Sequence, residues 1–547
     1  MGCRSLPVLL FAAASGIAIL GYFEFRFLTD DAFISFRYAS NALAGRGLVW
    51  NPSPFLPVEG YTNFAWVVLL GAVWALLGIE PPDAANPLAL AFGLGTLALT
   101  LRIGLRMQLP QHYQRLRLPL LALIALGVVT NRTYLAWLSS GLETALFNFA
   151  LTAWIACAIE PPATRTWRAT LGLSCAASAA ALARPDGWLA VLGCAPLALL
   201  GRRARGGWSP HERWAWCPLL LPALHLAWRR SYYGEWLPNT WYAKQLGAWP
   251  ESGIRYAASF VLEYAVWLWA AFVLFWLLRR PRLPHQVAVV VAVLLIHFGY
   301  YTFVIGGDHF EYRVYSHLIP LLFLSSAWLL AAGRARGSVS VALVAAFVAL
   351  SWPIPWAHHL ATRDLETRKQ THKLVAPVAP RLVPPFEWLA RPFDELQAWL
   401  IPKHVAMRHR EHAVFYQQLS ESLPSRSEGS RIGWDQRAIL LAGNVGRIGW
   451  VFPNVAVLDV LGLNDYVVAR TPVPGEEERA MAHDRLARPD YLACYRPNLT
   501  IQLPRRYTLR ERKPPLTDAE IAECERIWRP RAGEPIEVPP GMELRRR

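Results

Sequence analysis

Apolar runs of membrane-crossing character recur from residue 6 to residue 358, and short loops rich in arginine separate them. Leu6–Phe23 and Tyr264–Leu278 carry no charge at all. A backbone inside lipid must satisfy its own polar groups, so such runs can only be helices. With 54% hydrophobic residues and 25 Trp, the chain is too apolar over its first two thirds for a water-soluble domain. From about His359 the composition turns polar, Pro-rich and charged. Two units follow: a polytopic helical membrane domain over 1–358 and a water-exposed domain over 359–547. In the second, Ala438–Ala442 and Val455–Val460 predict two short strands flanking the turn Gly443-Asn444-Val445-Gly446-Arg447, hence an α/β unit; the turn itself is assigned to structure.

The formal charge of +16 does not indicate nucleic acid, because the arginines cluster in loops between apolar runs. Arg102, Arg106, Arg115 and Arg117 form one such group; Arg202, Arg203, Arg205 and Arg213 another; Arg279, Arg280 and Arg282, then Arg334 and Arg336, complete the series. This is the pattern of cytoplasmic loops, and anionic membrane lipids are the partners it implies. Arg4 places the N-terminus inside, so the first span delivers Asp30 and Asp31 outside. Counting onward, only one of the runs 61–79 and 87–105 crosses fully, the other being interfacial or re-entrant. About 11 crossings result, among them 141–159 and 254–278, with the tail outside. The segment 30–47 predicts a surface-lying helix capped by Asp30 or Asp31 and stopped by Gly45 and Gly47. Cys494 and Cys524 lie in the tail, where an extracytoplasmic location permits a disulfide. No CxxC or other metal-ligand spacing is present.

On this topology the outer face collects the polar groups. Carboxylates at a membrane edge are costly, and a functional role explains them. Asp30 and Asp31 are the candidates for catalysis. Arg37, Glu143, Arg184, Asp186, Tyr232, Asn239, Lys244 and Arg313 are the candidates for binding a donor's phosphate and sugar, while Asp308 and His309 form a candidate metal pair. Glu263, His225 and His297 lie inside spans and are expected in buried polar pairs. Acids and cations at helix ends on one side suit a reaction pocket at the lipid surface. Glycosyl transfer from a polyprenyl-phosphate sugar fits: a carboxylate takes the acceptor's proton and cations stabilise the departing phosphate. A lipid-linked oligosaccharide flippase and a non-catalytic membrane scaffold are the alternatives; the one-sided acids and the lack of an inverted repeat weigh against them.

The stretch Thr29-Asp30-Asp31-Ala32-Phe33-Ile34-Ser35-Phe36-Arg37-Tyr38-Ala39 resembles the first-loop signature of the GT-C superfamily of membrane glycosyltransferases. The run Gly45–Pro52 and the block Val58-Glu59-Gly60-Tyr61-Thr62-Asn63 extend it toward the bacterial branch related to the terminal arabinofuranosyltransferase of mycobacterial walls. Ser140–Thr144, Ala183–Gly187, Tyr232–Thr240, Gly306–His309 with Arg313, and Leu458–Asp465 are similar in the same way. The resemblance implies a plasma (inner) membrane enzyme with a polyprenyl-phosphate sugar donor, a first-loop Asp as base, and a pocket roofed by an extracytoplasmic domain. The acceptor would be a glycan, lipid or protein. A divalent metal serves some members of that family and not others.

Overall fold

A computed structural model describes residues 6–472, 479–502 and 504–535; Cys3 and Arg4, and with them the expectation resting on Arg4, lie outside the described residues. Five helices are long and apolar enough to cross a bilayer, namely Leu6–Phe25 (α1), Pro81–Arg106, His285–Ile305, Arg313–Ala332 and Gly337–Thr362. The chain is thus a multi-pass membrane protein. The run expected to cross at 254–278 is instead two helices, Pro250–Glu263 and Val266–Leu278, bent by 89°. Ala265, between them, holds a left-handed φ of 52°, which turns the chain sharply. Several other runs expected to cross, such as Thr144–Ala158, give helices shorter than a bilayer is thick.

Between α1 and Pro81 the chain builds the outer layer. The helix α2 spans Ala32–Leu43 and α3 spans Phe64–Leu77. Nine of the twelve α2 residues are buried, because α2 is covered by membrane helices below and by the tail above. It ends at Ala44, and Gly45 follows with φ +73°. The helix α3 packs lengthwise on α2 and has both ends against outer-layer groups: Asn63 next to Ser35, and Trp74 next to Trp450 of the tail. Of the two runs left open by the charge count, 61–79 gives the shorter helix, 14 residues long. The long helix at Pro81–Arg106, labelled α4, has the length to cross.

In the tail, β1 (Ile439–Ala442) and β2 (Ala456–Asp459) pair in parallel through the helix Val445–Val451. Cys494 and Cys524 are bridged, with Cα atoms 6.0 Å apart, beside a small core of Ile439, Leu458, Tyr491 and Trp528. This tail is bolted to the membrane unit by buried polar contacts. Trp50 Nε1 donates to the Val457 carbonyl at 2.9 Å, and Met407 N donates to the His309 carbonyl at 2.8 Å. Deepest is a fully buried ion quartet. Arg408 of the tail forks onto Glu263 at 2.8 and 2.9 Å, and Arg132 donates to Glu311 at 2.9 Å. Arg408 Nε and Glu311, 3.5 Å apart, close the ring. Glu263 is thus in the buried pair expected of it. His297 pairs with Asp186, whereas His225 packs its ring on Phe64 at 4.2 Å.

Candidate active site

Asp30 and Asp31 are adjacent in sequence but occupy different chemical environments. The Asp30 carboxylate accepts the backbone N–H of Gly446 at 3.1 Å and of Arg447 at 2.7 Å, both from the first turn of the tail helix Val445–Val451. Burial still raises its carboxyl to about 6, against those two amides and with Asp31 adding to the rise. Asp31 has no such partner: among the described residues no hydrogen bond or ion pair engages its carboxylate, which stays partly exposed. The expected capping role is not found either. Asp31 has helical angles (φ −58°, ψ −29°) and caps nothing, while Thr29 Oγ1 accepts the Ala32 N–H at 3.2 Å.

The turn leaves no latitude at Gly446. A Cβ there would stand 1.8 Å from the Asp30 carbonyl oxygen, a backbone atom that cannot step aside. Gly446→Ala is therefore expected to lift the turn from Asp30 and loosen the tail. The check is limited proteolysis of the tail in detergent: faster cleavage than wild type is expected, and unchanged cleavage would mean that the turn does not hold the loop.

Lys244 is the charge partner nearest in effect to Asp31. Burial lowers its ammonium, Asp31 opposes that, and Arg313 and Arg184 add to the lowering. Yet its side chain reaches solvent, and no described residue hydrogen-bonds its Nζ. The helix bearing it, Asn239–Lys244, is held by the tail. Arg485 donates to the carbonyls of Tyr242, Ala243 and Gln245, and Arg470 donates to Asn239 Oδ1 at 2.9 Å. Arg313 lies over Phe310 and forks onto Asp308 through Nε (2.9 Å) and Nη2 (3.2 Å), and among the described residues no hydrogen-bond partner takes Nη1.

Other expected ligands are already engaged by protein. Arg184 gives Nε and Nη2 to Asp186, Nη1 to Glu143 at 3.1 Å and Nη2 also to Tyr301. Glu143 accepts in addition from Asn63 at 2.9 Å, and Asp186 from His297 at 2.9 Å and Tyr301 at 3.1 Å. These residues form one buried network of hydrogen bonds and ion pairs.

Three expectations are corrected by what the side chains touch. Arg37, expected to bind phosphate, donates to the carbonyls of Trp50, Gly449, Phe452 and Val455 and so fastens α2 to the tail. Asn239 gives its amide to the carbonyls of Gly462, Leu463 and Asp465. Tyr232 stacks on Trp228 at 5.2 Å in an apolar cluster, its hydroxyl over Gly47.

The metal pair does not fit a metal. Asp308 has both oxygens in the Arg313 fork, and among the described residues no three ligating groups converge. His309 instead donates Nδ1–H to the His404 carbonyl at 2.9 Å and sits among imidazoles, with ring centres 5.2 Å from His412, 5.1 Å from His483 and 6.1 Å from His404. No sequence signal could have found this cluster, whose members lie up to 174 positions apart (483 minus 309).

The cluster makes the docking of the tail acid-sensitive. Burial, with His483 and Lys373, lowers His404 to about 3, and burial with Arg368 lowers His412 to about 3. An unfolded His takes up its proton near 6.5. Their contribution is therefore complete above that pH and is lost as the pH falls from about 6.5 towards 3. Asp30 and Asp459, raised to about 6 mainly by burial, act in the opposite sense, a penalty at neutral pH that acid relieves. Comparing wild type with His404→Asn isolates the histidine part, and Asn tolerates the φ of +58° at that position. Relative to wild type, the variant is expected to melt higher at pH 5 than at pH 7; an equal offset at both pH values would remove His404 from the effect.

No protein-family model matches the sequence. Over 276 residues the chain is 30% identical to the terminal β-(1→2)-arabinofuranosyltransferase of Mycobacterium tuberculosis, covering 48% of this chain and 42% of that protein. The chain thus aligns with less than half the length of that relative. Two crystal structures of ArnT from Cupriavidus metallidurans are also similar. The undecaprenyl-phosphate-bound form is 11% identical, with a TM-score of 0.47, over 83% of this chain and 86% of that one. The apo form is 12% identical, with a TM-score of 0.47, over 81% and 84%.

Proposed function

We propose that this chain is a membrane glycosyltransferase of the GT-C type, moving a sugar from a polyprenyl-phosphate donor to an acceptor hydroxyl on the extracytoplasmic side. The observation that carries the reading is Asp31: an unpartnered carboxylate beside an unpartnered Lys244, in a chain whose sequence is related to an arabinofuranosyltransferase. The relative's activity supports a pentofuranose as the sugar. In the reaction Asp31 accepts the acceptor's proton as the hydroxyl oxygen bonds to the anomeric carbon. The bond from that carbon to the phosphate oxygen breaks, and the phosphate leaves with the lipid. Lys244 and Arg313 Nη1 are placed to take up the charge that develops there. Asp30 is a positioning residue, joining the loop to the tail. No step runs through a metal. The Cys494–Cys524 bridge supports an extracytoplasmic tail.

The test is transfer by purified protein in detergent from radiolabelled polyprenyl-phosphate pentofuranose and hexose to a panel of glycan acceptors. Sugar transfer from one donor is expected. Absence of both binding and consumption for every donor would overturn the reading.

A further inference from the structure

Against α2 the tail presents two arginines that pair with no carboxylate among the described residues. Arg426 lies on Trp450, its guanidinium carbon 3.7 Å from the ring centre, and donates to Ser40 Oγ at 2.8 Å and to the Trp450 carbonyl. Trp450 in turn packs on Trp74 of α3 at 5.7 Å. Arg447 stands over Phe33 and Tyr416, at 4.9 and 5.8 Å. Its Nε is buried without a hydrogen-bond partner, and no carboxylate among the described residues pairs with its guanidinium. Burial lowers Arg426 to about 10; Glu80 opposes that, Arg447 and Arg46 add to it, and Glu80 forms no ion pair with Arg426. An arginine pair so placed is short of negative charge, and uncompensated buried charge is costly.

What lies beside the pair names the anion. The end of α3, just past Trp74, exposes Leu76 by 82% and Leu77 by 67%, and Ile79 beyond it is 43% exposed. Apolar side chains there, a Trp at the boundary and cations one layer above reproduce the profile of a membrane surface from tail to headgroup. Guanidinium groups match phosphate oxygens with paired N–H donors.

We propose that Arg426 and Arg447 form a lipid-phosphate site, in which the phosphate bridges the two guanidinium groups and the lipid chains lie along the exposed end of α3. The Arg447 backbone N–H holds Asp30, but the phosphate is bound by side chains, and the site does not depend on the proposed transfer reaction. It fastens the outer domain to the bilayer, and thereby the turn that holds Asp30. A bilayer phospholipid and a polyprenyl phosphate offer the same group, and the experiment separates them.

Delipidated full-length protein in neutral detergent is titrated with phosphatidylglycerol, phosphatidylcholine or polyprenyl phosphate, and bound lipid is counted by native mass spectrometry. Wild type is expected to prefer phosphatidylglycerol over phosphatidylcholine, with the preference falling as salt rises. Arg426→Gln with Arg447→Gln is expected to weaken the anionic lipid roughly thirtyfold, about fivefold per arginine. Loss confined to phosphatidylglycerol identifies a bilayer lipid; loss confined to polyprenyl phosphate identifies the carrier. Arg447→Lys, which keeps the charge, is expected to retain most of the binding and guards against a fold defect in the Gln variants. Unchanged binding of both anionic lipids in the double variant, or a wild-type preference insensitive to salt, overturns the site.

Discussion

Replacing Asp31 with Asn is expected to lower kcat for sugar transfer by roughly a hundred- to ten-thousandfold, the usual contribution of a positioned general base. Its melting temperature should stay close to wild type, because no protein group leans on the Asp31 carboxylate. Asp30→Asn acts by a different route. A carboxamide has one oxygen for the two N–H groups of Gly446 and Arg447, and its own NH2 faces the other donor. Leaving a buried donor unsatisfied costs about 1–3 kcal/mol. The Asp30 variant should therefore melt lower and lose activity in step with tail docking. Donor binding, kcat and thermal unfolding of both variants decide the matter. A stable Asp30→Asn protein with no activity beside an active Asp31→Asn protein would reverse the two roles.

Arg408→Ala is the substitution expected to cost most stability, about 3–5 kcal/mol, since it leaves Glu263 and Glu311 to share Arg132 in a site without solvent. Removing both ends of one pair is a gentler change than removing one. Arg408→Met with Glu263→Met keeps the remaining Arg132–Glu311 pair neutral and should recover much of the loss. The measurement is a thermal melt of the three proteins in one detergent. A loss for Arg408→Ala below about 1 kcal/mol, the range of exposed ion pairs, would show that water reaches the quartet. Because Arg408 belongs to the tail and its partners to the membrane unit, proteolysis of the tail should accelerate before the helices melt.

Much of this architecture is legible in the residues. Uncharged runs such as Leu6–Phe23 dictate helices in lipid, Gly45 and Gly47 mark the end of α2, and Ala438–Ala442 and Val455–Val460 indicate two short strands, found as β1 and β2; the helix Val445–Val451 between them stands where a turn is expected. These features are local: propensity, hydrophobic pattern and turn chemistry act over a few residues. The same locality explains why the bend within 254–278 is not legible in the sequence: the apolar content continues straight through it, past Ala265.

The sequence by itself determined the residue types at the outer face and the pairing of acids with cations there; it could not divide the labour among them. Asp30 and Asp31 are identical side chains one peptide apart. Only the tertiary structure brings Gly446, some 416 positions away, onto one of them and leaves the other open. In the same way Arg37 and Arg313 read alike as cations, yet four carbonyls consume the first while the second keeps one nitrogen unclaimed. A charge's role depends on which partners have already satisfied it. Those partners come from distant parts of the chain, brought together by burial and not by adjacency.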